Sequence, residues 1–531
     1  MLQPVRGKKG LSKMRFLMIL LAASVGAAPI ALSAARPVAR WDVIPHQRVK
    51  GVFKAGVCAF HEAGVKVEFS VDGKPASTAG KPEFNDRTGV WEFVFPFDAS
   101  KHADGPVAIT AKAIALDQAA ESFDLPELRL YADNAGKRVS SVPVWADSEN
   151  GDDSGDGTEA HPMKTLKAAV KKAGDGGTVY LKKGLYTPSG FGGMGNKYWT
   201  TISAAPGVKR EDVELSPGRP GGDKYRFRGL TLFCSAEGKF ATILAGENGA
   251  TCCWIDECLM LNKKGRWACN SNMFGNRMVG YVTGGETTEM GNGPDGTIMR
   301  GHYVHKISSD VWTGSDKLVV NCRCDDVDPG KTGAHPDFHQ SHAKAPNWVH
   351  DVILYNVSGY NCRCQGLFGI RLRDSAFVNI SFQCANGMYS QYSDDMENVI
   401  FAHITLVNQT WLWREGKPPK GTYNPKDVRV FNNVFAQMGG FAALANGDGS
   451  AGLKVYSNAF YGMDKKGKAR GEYGSEALRI ERAFVDEDNH NYALPKDSPA
   501  LRHGIPLQCV PADINGKPYP AGPRPCGAYA Q

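Results

Sequence analysis

The chain has 531 residues, of which 42% are hydrophobic and 22% are charged. This length and apolar content exclude a wholly disordered protein and allow two or three domains. The formal net charge of +7 comes mostly from residues 1–34, which hold five basic residues and no acidic one, and beyond them 57 basic residues stand against 55 acidic ones. Such a balance is not typical of nucleic-acid-binding proteins, which usually carry a basic surface.

Residues 1–35 are predicted to be a secretory signal peptide. Basic residues between Lys8 and Arg15 precede an apolar stretch over 16–28, and small residues at 31–34 offer cleavage sites. The apolar stretch is too short to span a bilayer comfortably, and no later stretch approaches that length. We therefore expect bacterial-type export to the periplasm or the medium, with no stable membrane span, and the alternative is that the segment stays uncleaved as a membrane anchor. Export permits disulfides, but the 13 cysteines are too few to replace a hydrophobic core.

Residues 36–140 are predicted to form an immunoglobulin-like β-sandwich. Apolar and polar residues alternate over 65–71, a turn signal follows at Asp72–Gly73, and further strands are indicated at 90–95 and 107–113. The sandwich serves either as a spacer or as a module that contacts a glycan, and the sequence does not decide between the two.

A polar boundary over 147–158 precedes a predicted helix. Thr165 is the expected N-cap, and Leu166, Ala169 and Val170 share one apolar face. Gly174 is expected to end the helix. A helix with one apolar face is suited to covering the end of a β structure.

The rest of the chain is repetitive. Five similar segments begin at Asp351, Asp374, Asn398, Asp427 and Gly452, at spacings of 23, 24, 29 and 25 residues. A period in the twenties with short β runs predicts a solenoid in which each repeat forms one coil. Leucine-rich repeats have a similar period, but their consensus is absent here.

The segments 151–158, 162–166 and 177–186 resemble the N-terminal capping helix and first coil of secreted right-handed parallel β-helix proteins, the pectate-lyase-like superfamily. The ending over 525–529 resembles the tail of bacterial members. The resemblance implies an all-β fold with a right-handed, single-stranded parallel β-helix over 141–505, after the sandwich and before a tail over 506–531. Members include polysaccharide lyases, glycoside hydrolases, uronan epimerases and proteins that only bind, so the fold alone does not define a reaction.

The densest polar segment lies over 325–342. Its Gly-x-His-Pro-Asp-x-x-Gln pattern, from Gly333 to Gln340, resembles one found in carbohydrate-acting β-helix proteins. In an extended strand His335, Asp337 and His339 face one side, and we predict that they are catalytic, with Asp337 orienting an imidazole that transfers protons. Two alternatives stay open: a transition-metal site completed by His302, His305 or His342, and a purely structural network between coils.

Neighbouring coils are expected to stack further side chains beside this segment, including His305 and Asp310 from the coil before. Arg371 and Arg373 are predicted to be catalytic cations. The residues predicted to bind substrate are Gln340, Lys344, Gln365, Tyr389, Tyr392, Trp411 and Trp413. Asp325, Asp326 and Asp328 are candidate Ca²⁺ ligands, although three acids so close together also suit a solvated turn. No other cofactor is indicated.

These residues favour an enzyme that cleaves a polysaccharide, with β-elimination of a uronate-containing polymer as the leading hypothesis. Elimination needs a cation beside the uronate carboxylate, a base and an acid. The first rival is a glycoside hydrolase, which needs two carboxylates. The candidates for that pair are Asp310, Asp325, Asp326, Asp337, Asp394 and Asp395. The second rival is a β-helix that binds carbohydrate without cleaving it.

Overall fold

The computed structural model describes the chain from Ala35 to Ala530, apart from some internal segments. The segments left out are 118–119, 137–139, 141, 193–194, 239–240, 246–250, 269–270, 275–277, 345, 385–388, 409, 415–424, 437–439, 443–451, 463–474 and 483. At 251, 389–395, 410–414 and 440–442 only the backbone is described. The predicted signal peptide lies outside the described residues. Within the described part of the chain, no helix has the length and apolarity needed to cross a bilayer.

The N-terminal part of the described chain is a sandwich of two sheets. The first sheet has the strand order Val38–Trp41, Val52–Phe60, Val90–Asp98, Glu83–Asn85. The second has the order Arg48–Val49, Leu128–Ala132, Gly105–Ala115, Val65–Val71, Lys74–Ala79, with Phe123–Asp124 paired to Gly105–Ala115. The strands predicted at 65–71, 90–95 and 107–113 are all present, because their alternating apolar residues face the space between the sheets.

The rest of the described chain is a right-handed β-helix built on a 28-stranded parallel sheet. Each coil contributes strands to up to three faces. Face 1 comprises Val144–Ala146, Thr178–Leu181, Thr200–Ala204, Tyr225–Arg228, Thr251–Asp256, Met278–Thr283, Ile298–Arg300, Lys317–Val320, parts of Val352–Cys362, Gln365–Cys384 and Tyr389–Val407, and then Lys426–Phe431 and Leu453–Tyr456. Face 2 comprises Gly184–Tyr186, Val213–Leu215, Thr231–Cys234, Leu259–Asn262, Glu286–Thr288, Tyr303–Ile307, Arg323–Val327, later parts of the same three long strands, and then Val434–Ala436, Ala459–Tyr461 and Leu478–Arg479.

Face 3 is less continuous. It comprises Ala241–Leu244 and Ser271–Phe274, which form a separate pair, and then Trp312–Thr313, Asp337–His342, the first parts of Gln365–Cys384 and Tyr389–Val407, and Thr410–Arg414 and Gly440–Ala442. The short strand Val349–His350 pairs with Leu372 and Arg373, beyond the end of this face.

The N-terminal end of the β-helix is covered by the predicted helix, Leu166–Ala173. Thr165 caps it by accepting a hydrogen bond from the amide of Ala168, and Gly174 ends it at a φ of 70°. Leu166, Ala169 and Val170 are buried against the first coils. Three short 3₁₀ helices, Ala99–Lys101, Arg210–Asp212 and Pro499–Arg502, complete the helical elements of the described residues.

The repeat pattern corresponds to consecutive coils, as predicted. Asp351, Asp374, Asn398 and Asp427 begin their repeats with φ values of 54°, 48°, 53° and 50°. Asn and Asp tolerate this left-handed conformation better than most residues, because their short polar side chains bond locally. Four of the five repeats therefore start at a left-handed bend where the chain enters face 1.

The interior is a continuous stack of apolar side chains with thiols among them. Cys324, Cys362, Cys364 and Cys384 are buried within it, and Cys362 lies opposite Cys384 on the next coil. Among the described residues the free thiols include Cys58, Cys252, Cys253, Cys258, Cys322, Cys324, Cys362, Cys364, Cys509 and Cys526.

The sandwich packs against the outer surface of face 1. Phe60 of the sandwich meets Tyr355 of the β-helix edge to face, with ring centroids 5.1 Å apart. The indole nitrogen of Trp199 donates to the carbonyl oxygen of Pro45 at 2.7 Å. Face 1 is therefore covered, and the outer surfaces of faces 2 and 3 are where a functional site has room.

Candidate active site

The predicted catalytic segment forms a strand of face 3. Asp337–His342 pairs with Trp312–Thr313 on one side and with residues 365–370 on the other. Tyr392 then pairs with Gly369, and Trp413 with Tyr392. The backbone thus places the segments of Gln365, Tyr389, Tyr392, Trp411 and Trp413 on successive coils beside Asp337. The side chains of the two tyrosines and two tryptophans lie outside the described residues, so their contact with substrate stays a prediction.

Asp337 and Asp310 form a carboxyl pair. The Asp337 side chain is fully buried, its Oδ2 accepts a hydrogen bond from Gln340 Nε2 at 2.7 Å, and its Oδ1 has no partner. Its backbone amide donates to Asp310 Oδ1 at 2.9 Å. Burial and then the charge of Asp310 raise the pKa of Asp337 to about 8. Burial also raises the pKa of Asp310, against the influence of His335. Asp337 is therefore largely protonated at neutral pH.

The two histidines of the predicted set have different surroundings. His335 is exposed and lies near Asp310. His339 is buried, and its ring meets Phe377 edge to face with centroids 5.0 Å apart. Burial and then the charge of Lys317 lower the pKa of His339 to about 3, so its ring is neutral. The catalytic role of both residues stays a prediction, and only His335 is open to solvent.

Arg371 and Arg373 lie beyond a bend in their strand. Arg371 has a φ of 56°, and its Nε donates to the carbonyl oxygen of Asn347 at 2.9 Å. The two guanidinium groups lie 4.5 and 5.9 Å from the ring centroid of Trp348. Lys344 is exposed in the loop between the strands Asp337–His342 and Val349–His350. The two guanidinium groups thus lie around Trp348, where the strand Val349–His350 pairs with Leu372 and Arg373, rather than beside the Asp310–Asp337 pair.

The three candidate Ca²⁺ ligands do not converge. Asp325 pairs with Arg323 at 2.6 Å, Asp326 with Arg266 at 3.3 Å, and Asp328 with Arg363 at 3.7 Å. Each carboxylate therefore has its own cation, which does not fit a shared metal ion.

In another cluster the possible metal-ligating atoms lie closer together. Among the described residues, Asp316, His350 and Asp351 are the group whose ligating atoms all lie within 4.8 Å of one another. Arg36 of the sandwich pairs with Asp351 at 3.0 Å, and Arg40 with Asp316 at 3.4 Å. The cluster therefore takes part in ion pairs that join the sandwich to the β-helix.

The sequence reasoning missed an arrangement on the outer surface of face 2, here called the face-2 cluster: Glu286, Tyr303, His305, Arg323 and Asp325. His305 Nε2 lies 3.1 Å from Glu286 Oε2. The rings of His305 and Tyr303 are stacked, with centroids 4.5 Å apart and planes 10° apart. Tyr303 and His305 alternate along one strand and so point to the same side.

A second set of bonds joins Tyr303 to the next coil. Its hydroxyl donates to Asp325 Oδ2 at 2.9 Å, and Arg323 Nε donates to the same oxygen at 2.7 Å. Burial and then the charge of Asp325 raise the pKa of Tyr303 to about 12. The phenol therefore keeps its proton at neutral pH. The Arg323 side chain is 57% exposed and lies over the rings of Tyr303 and Tyr360.

Aromatic side chains flank the face-2 cluster. Trp267 is 54% exposed, and its indole nitrogen donates to the carbonyl oxygen of Asp328 at 3.0 Å. On the following coils Tyr360 stacks on His490 at 5.1 Å. The cluster thus combines an imidazole, a phenol, an exposed guanidinium and carboxylates between aromatic surfaces. This is a set of groups that can transfer protons and bind an anion.

No protein-family model matches the sequence, and no curated protein matches it. Several solved structures resemble the fold. The native GH136 lacto-N-biosidase from Eubacterium ramulus has a TM-score of 0.38 at 11% identity, over 65% of this chain and 69% of that chain. The PL6 family polysaccharide lyase from Pseudopedobacter saltans has a TM-score of 0.34 at 10% identity, over 66% of this chain and 95% of that chain. A family 28 exopolygalacturonase from Yersinia enterocolitica has a TM-score of 0.30 at 9% identity, over 84% of this chain and 99% of that chain. At such TM-scores the likenesses identify no reaction for this chain.

Proposed function

We propose that the chain is a carbohydrate-active enzyme that cleaves a uronate-containing polysaccharide by β-elimination, with the face-2 cluster as its active site. The observation that carries the proposal is the position of His305, which is bonded to Glu286 and stacked on Tyr303. Export through the predicted signal peptide would bring the enzyme to polymers outside the cytoplasm.

His305 is the proposed base. The Glu286 carboxylate accepts the hydrogen bond from Nε2–H, so the tautomer assigned by this bond leaves a lone pair on Nδ1. Thr288 Oγ1 lies 3.4 Å from Nδ1, a long contact that an approaching substrate can replace. Nδ1 would remove the proton from C5 of the uronate. The C5–H electron pair then forms the C4–C5 double bond as the C4–O bond breaks.

Tyr303 is the proposed acid, and Arg323 the proposed cation. The Tyr303 hydroxyl would protonate the leaving glycosidic oxygen and regain a proton from the His305 imidazolium through solvent, which balances the step. The exposed guanidinium of Arg323 would pair with the uronate carboxylate. This pairing acidifies the C5 proton, because charge that develops on the carboxylate in the transition state is stabilised.

The proposal is tested by digesting a panel of alginate, pectin, glycosaminoglycans, ulvan and neutral glycans, with and without Ca²⁺. Reducing ends and the absorbance of unsaturated uronates are followed together. We expect both signals to rise on an acidic polymer. If neither signal rises on any polymer and the protein still binds a glycan, the protein binds carbohydrate without cleaving it.

A second candidate function, glycoside hydrolysis, is favoured by the Asp310–Asp337 pair. Burial raises the pKa of both carboxyls, which suits a general acid, and Asp310, unlike the fully buried Asp337, is partly exposed and would be the one that meets substrate. In that case reducing ends would rise without unsaturated products, and Asp310→Asn, rather than His305→Gln, would abolish the activity.

A further inference from the structure

A pocket beside the face-2 cluster is formed by three separate parts of the chain. Its volume is about 350 Å³, within the range of ligand-binding pockets. Phe84 and Trp91 of the sandwich form one side, Asn321, Arg323 and Tyr360 of the β-helix form the floor, and Asn515 of the C-terminal tail contributes the other side.

Hydrogen bonds between these parts hold the pocket open in a defined shape. Asn321 Nδ2 donates to the carbonyl oxygen of Gly89 at 2.8 Å, which ties the coil to the sandwich. Trp91 Nε1 donates to the carbonyl oxygen of Gly516 at 3.3 Å, which ties the sandwich to the tail. A preformed pocket loses less conformational entropy when it binds a ligand.

The lining combines an aromatic surface with polar groups and a cation. Phe84 and Trp91 are cross-strand neighbours with ring centroids 5.8 Å apart, and Phe84 is 50% exposed although it is large and apolar. An aromatic face packs on the apolar C–H groups of a sugar ring, while amides and hydroxyls bond to its hydroxyl groups. Arg323 belongs both to this pocket and to the face-2 cluster.

We infer that this pocket binds a further sugar residue of the acidic polysaccharide, next to the residue at which the chain is cleaved, so that the sandwich is part of the substrate site. The inference rests on the proposed function for its substrate class. Because Arg323 lines the pocket and belongs to the face-2 cluster, the sugar whose carboxylate it binds for cleavage lies beside the pocket, so the pocket and the cleavage site are neighbours along one polymer. The sandwich is then a glycan-contacting module rather than a spacer.

The test measures binding of acidic oligosaccharides of increasing length by calorimetry. The probes are oligogalacturonates, oligoalginates and glycosaminoglycan oligosaccharides, with neutral cello-oligosaccharides as the charge control. The protein is the full chain with His305→Gln, so that no probe is consumed. We expect Phe84→Ala to weaken binding of the longer oligomers by about threefold to tenfold, and Phe84→Glu to weaken it further by charge repulsion. The shortest bound oligomer should be unaffected.

Val52 provides matched controls, because it is 63% exposed on the same sandwich and does not line the pocket. Val52→Ala and Val52→Glu should leave all affinities unchanged. If neither Phe84 variant changes oligomer binding, the pocket does not bind the polymer, and the proposed elimination is unaffected. Binding that depends on Phe84, together with no unsaturated product from the wild-type protein, supports the pocket and overturns the proposed reaction. Failure of the wild-type protein to bind any acidic oligomer overturns both.

Discussion

The imidazole of His305 lies 3.1 Å from the carboxylate of Glu286 on the preceding coil. Glu286 is itself held by an ion pair with Arg210. The acceptor of the His305 proton therefore has a fixed position, which fixes both the tautomer and the plane of the ring. Such an orienting carboxylate is a common way to prepare a histidine for proton transfer.

His305→Gln should abolish elimination without unfolding the protein. Proton transfer by a positioned side chain contributes about 10²- to 10⁴-fold to a rate, and the loss should fall in that range. Glu286→Gln should lower kcat by roughly 10- to 1,000-fold and leave KM unchanged, because Glu286 positions the base without touching substrate. Both are measured as the rate of unsaturated product formation, with thermal unfolding as the check on folding.

His161→Gln is the matched control, since His161 is 72% exposed in the capping region, away from the face-2 cluster. It should leave kcat unchanged. Full activity in His305→Gln would show that the face-2 cluster is not the active site.

Asp337 should make the protein less stable as the pH rises. Its pKa in the folded protein is about 8, whereas an aspartate in an unfolded chain titrates near pH ~3.9. Between these values the folded state holds a proton that the unfolded state has lost, so the free energy of unfolding falls with rising pH by up to about 1.4 kcal/mol per pH unit. Asp337→Asn carries no titrating proton and should remove this part of the slope.

The measurement is urea unfolding of wild type and Asp337→Asn at intervals from pH 5 to pH 8. The free energy of unfolding of Asp337→Asn should increase relative to that of the wild type as the pH rises. Asp124→Asn is the control, because Asp124 is 77% exposed. Equal slopes for wild type and Asp337→Asn would mean that Asp337 is ionised in the folded protein.

The register of the coils could be predicted from the sequence. The third residues of four repeats, Ile353, Ala376, Ile400 and Arg429, lie opposite one another residue for residue. The repeat spacing carries this information because each of these four repeats begins at the same left-handed bend. The capping helix was predictable for a similar reason, since its cap, apolar face and terminal glycine are all local signals.

The positions of Arg371 and Arg373 could not be predicted in the same way. Alternation along a strand assigns faces only while the strand is straight, and the strand Gln365–Cys384 bends at Arg371 as it passes from face 3 towards face 1. The face-2 cluster was missed because Tyr303 and His305 lie 20 residues before Arg323 and Asp325. The residues around these two pairs do not share the repeated sequence pattern that marks the later coils.

Asp351 should stabilise the junction between the sandwich and the β-helix except in acid. Burial alone would raise its pKa, but the hydrogen bond with His350 and the charge of Arg36 lower it below the usual value. A carboxylate with a lowered pKa adds stability that is present above its unfolded pKa and is lost as the pH falls through its folded pKa. Asp351→Asn should therefore cost about 1–3 kcal/mol at pH 7, and the difference from wild type should shrink below about pH 4.

Asp316→Asn is the comparison within the same cluster. The Asp316 side chain is 58% exposed, so its pair with Arg40 should contribute less than about 1 kcal/mol. Urea unfolding at pH 3, 5 and 7 separates the two variants. A cost for Asp351→Asn that does not change with pH would contradict the ion-pair explanation.

Asn379 should tolerate glycine better than alanine, although glycine usually destabilises a β structure. Asn379 is fully buried at a φ of 51°, and its Nδ2 donates to Asn356 Oδ1 at 3.0 Å and to the carbonyl oxygen of Ala512 at 2.8 Å. Both substitutions leave these two acceptors without a donor, which costs about 1–3 kcal/mol. Alanine also has to adopt the left-handed conformation, at a further cost of about 1–2 kcal/mol, whereas glycine adopts it freely.

The midpoint of urea unfolding should therefore fall furthest for Asn379→Ala and less for Asn379→Gly. Asn361 is the matched control, since it has a similar φ of 52° but an exposed side chain. There Asn361→Ala should show the conformational cost alone, and Asn361→Gly should be close to wild type. If Asn379→Gly were the less stable of the two Asn379 variants, the bonds and packing of the side chain, rather than the backbone conformation, would decide which residue occupies this bend.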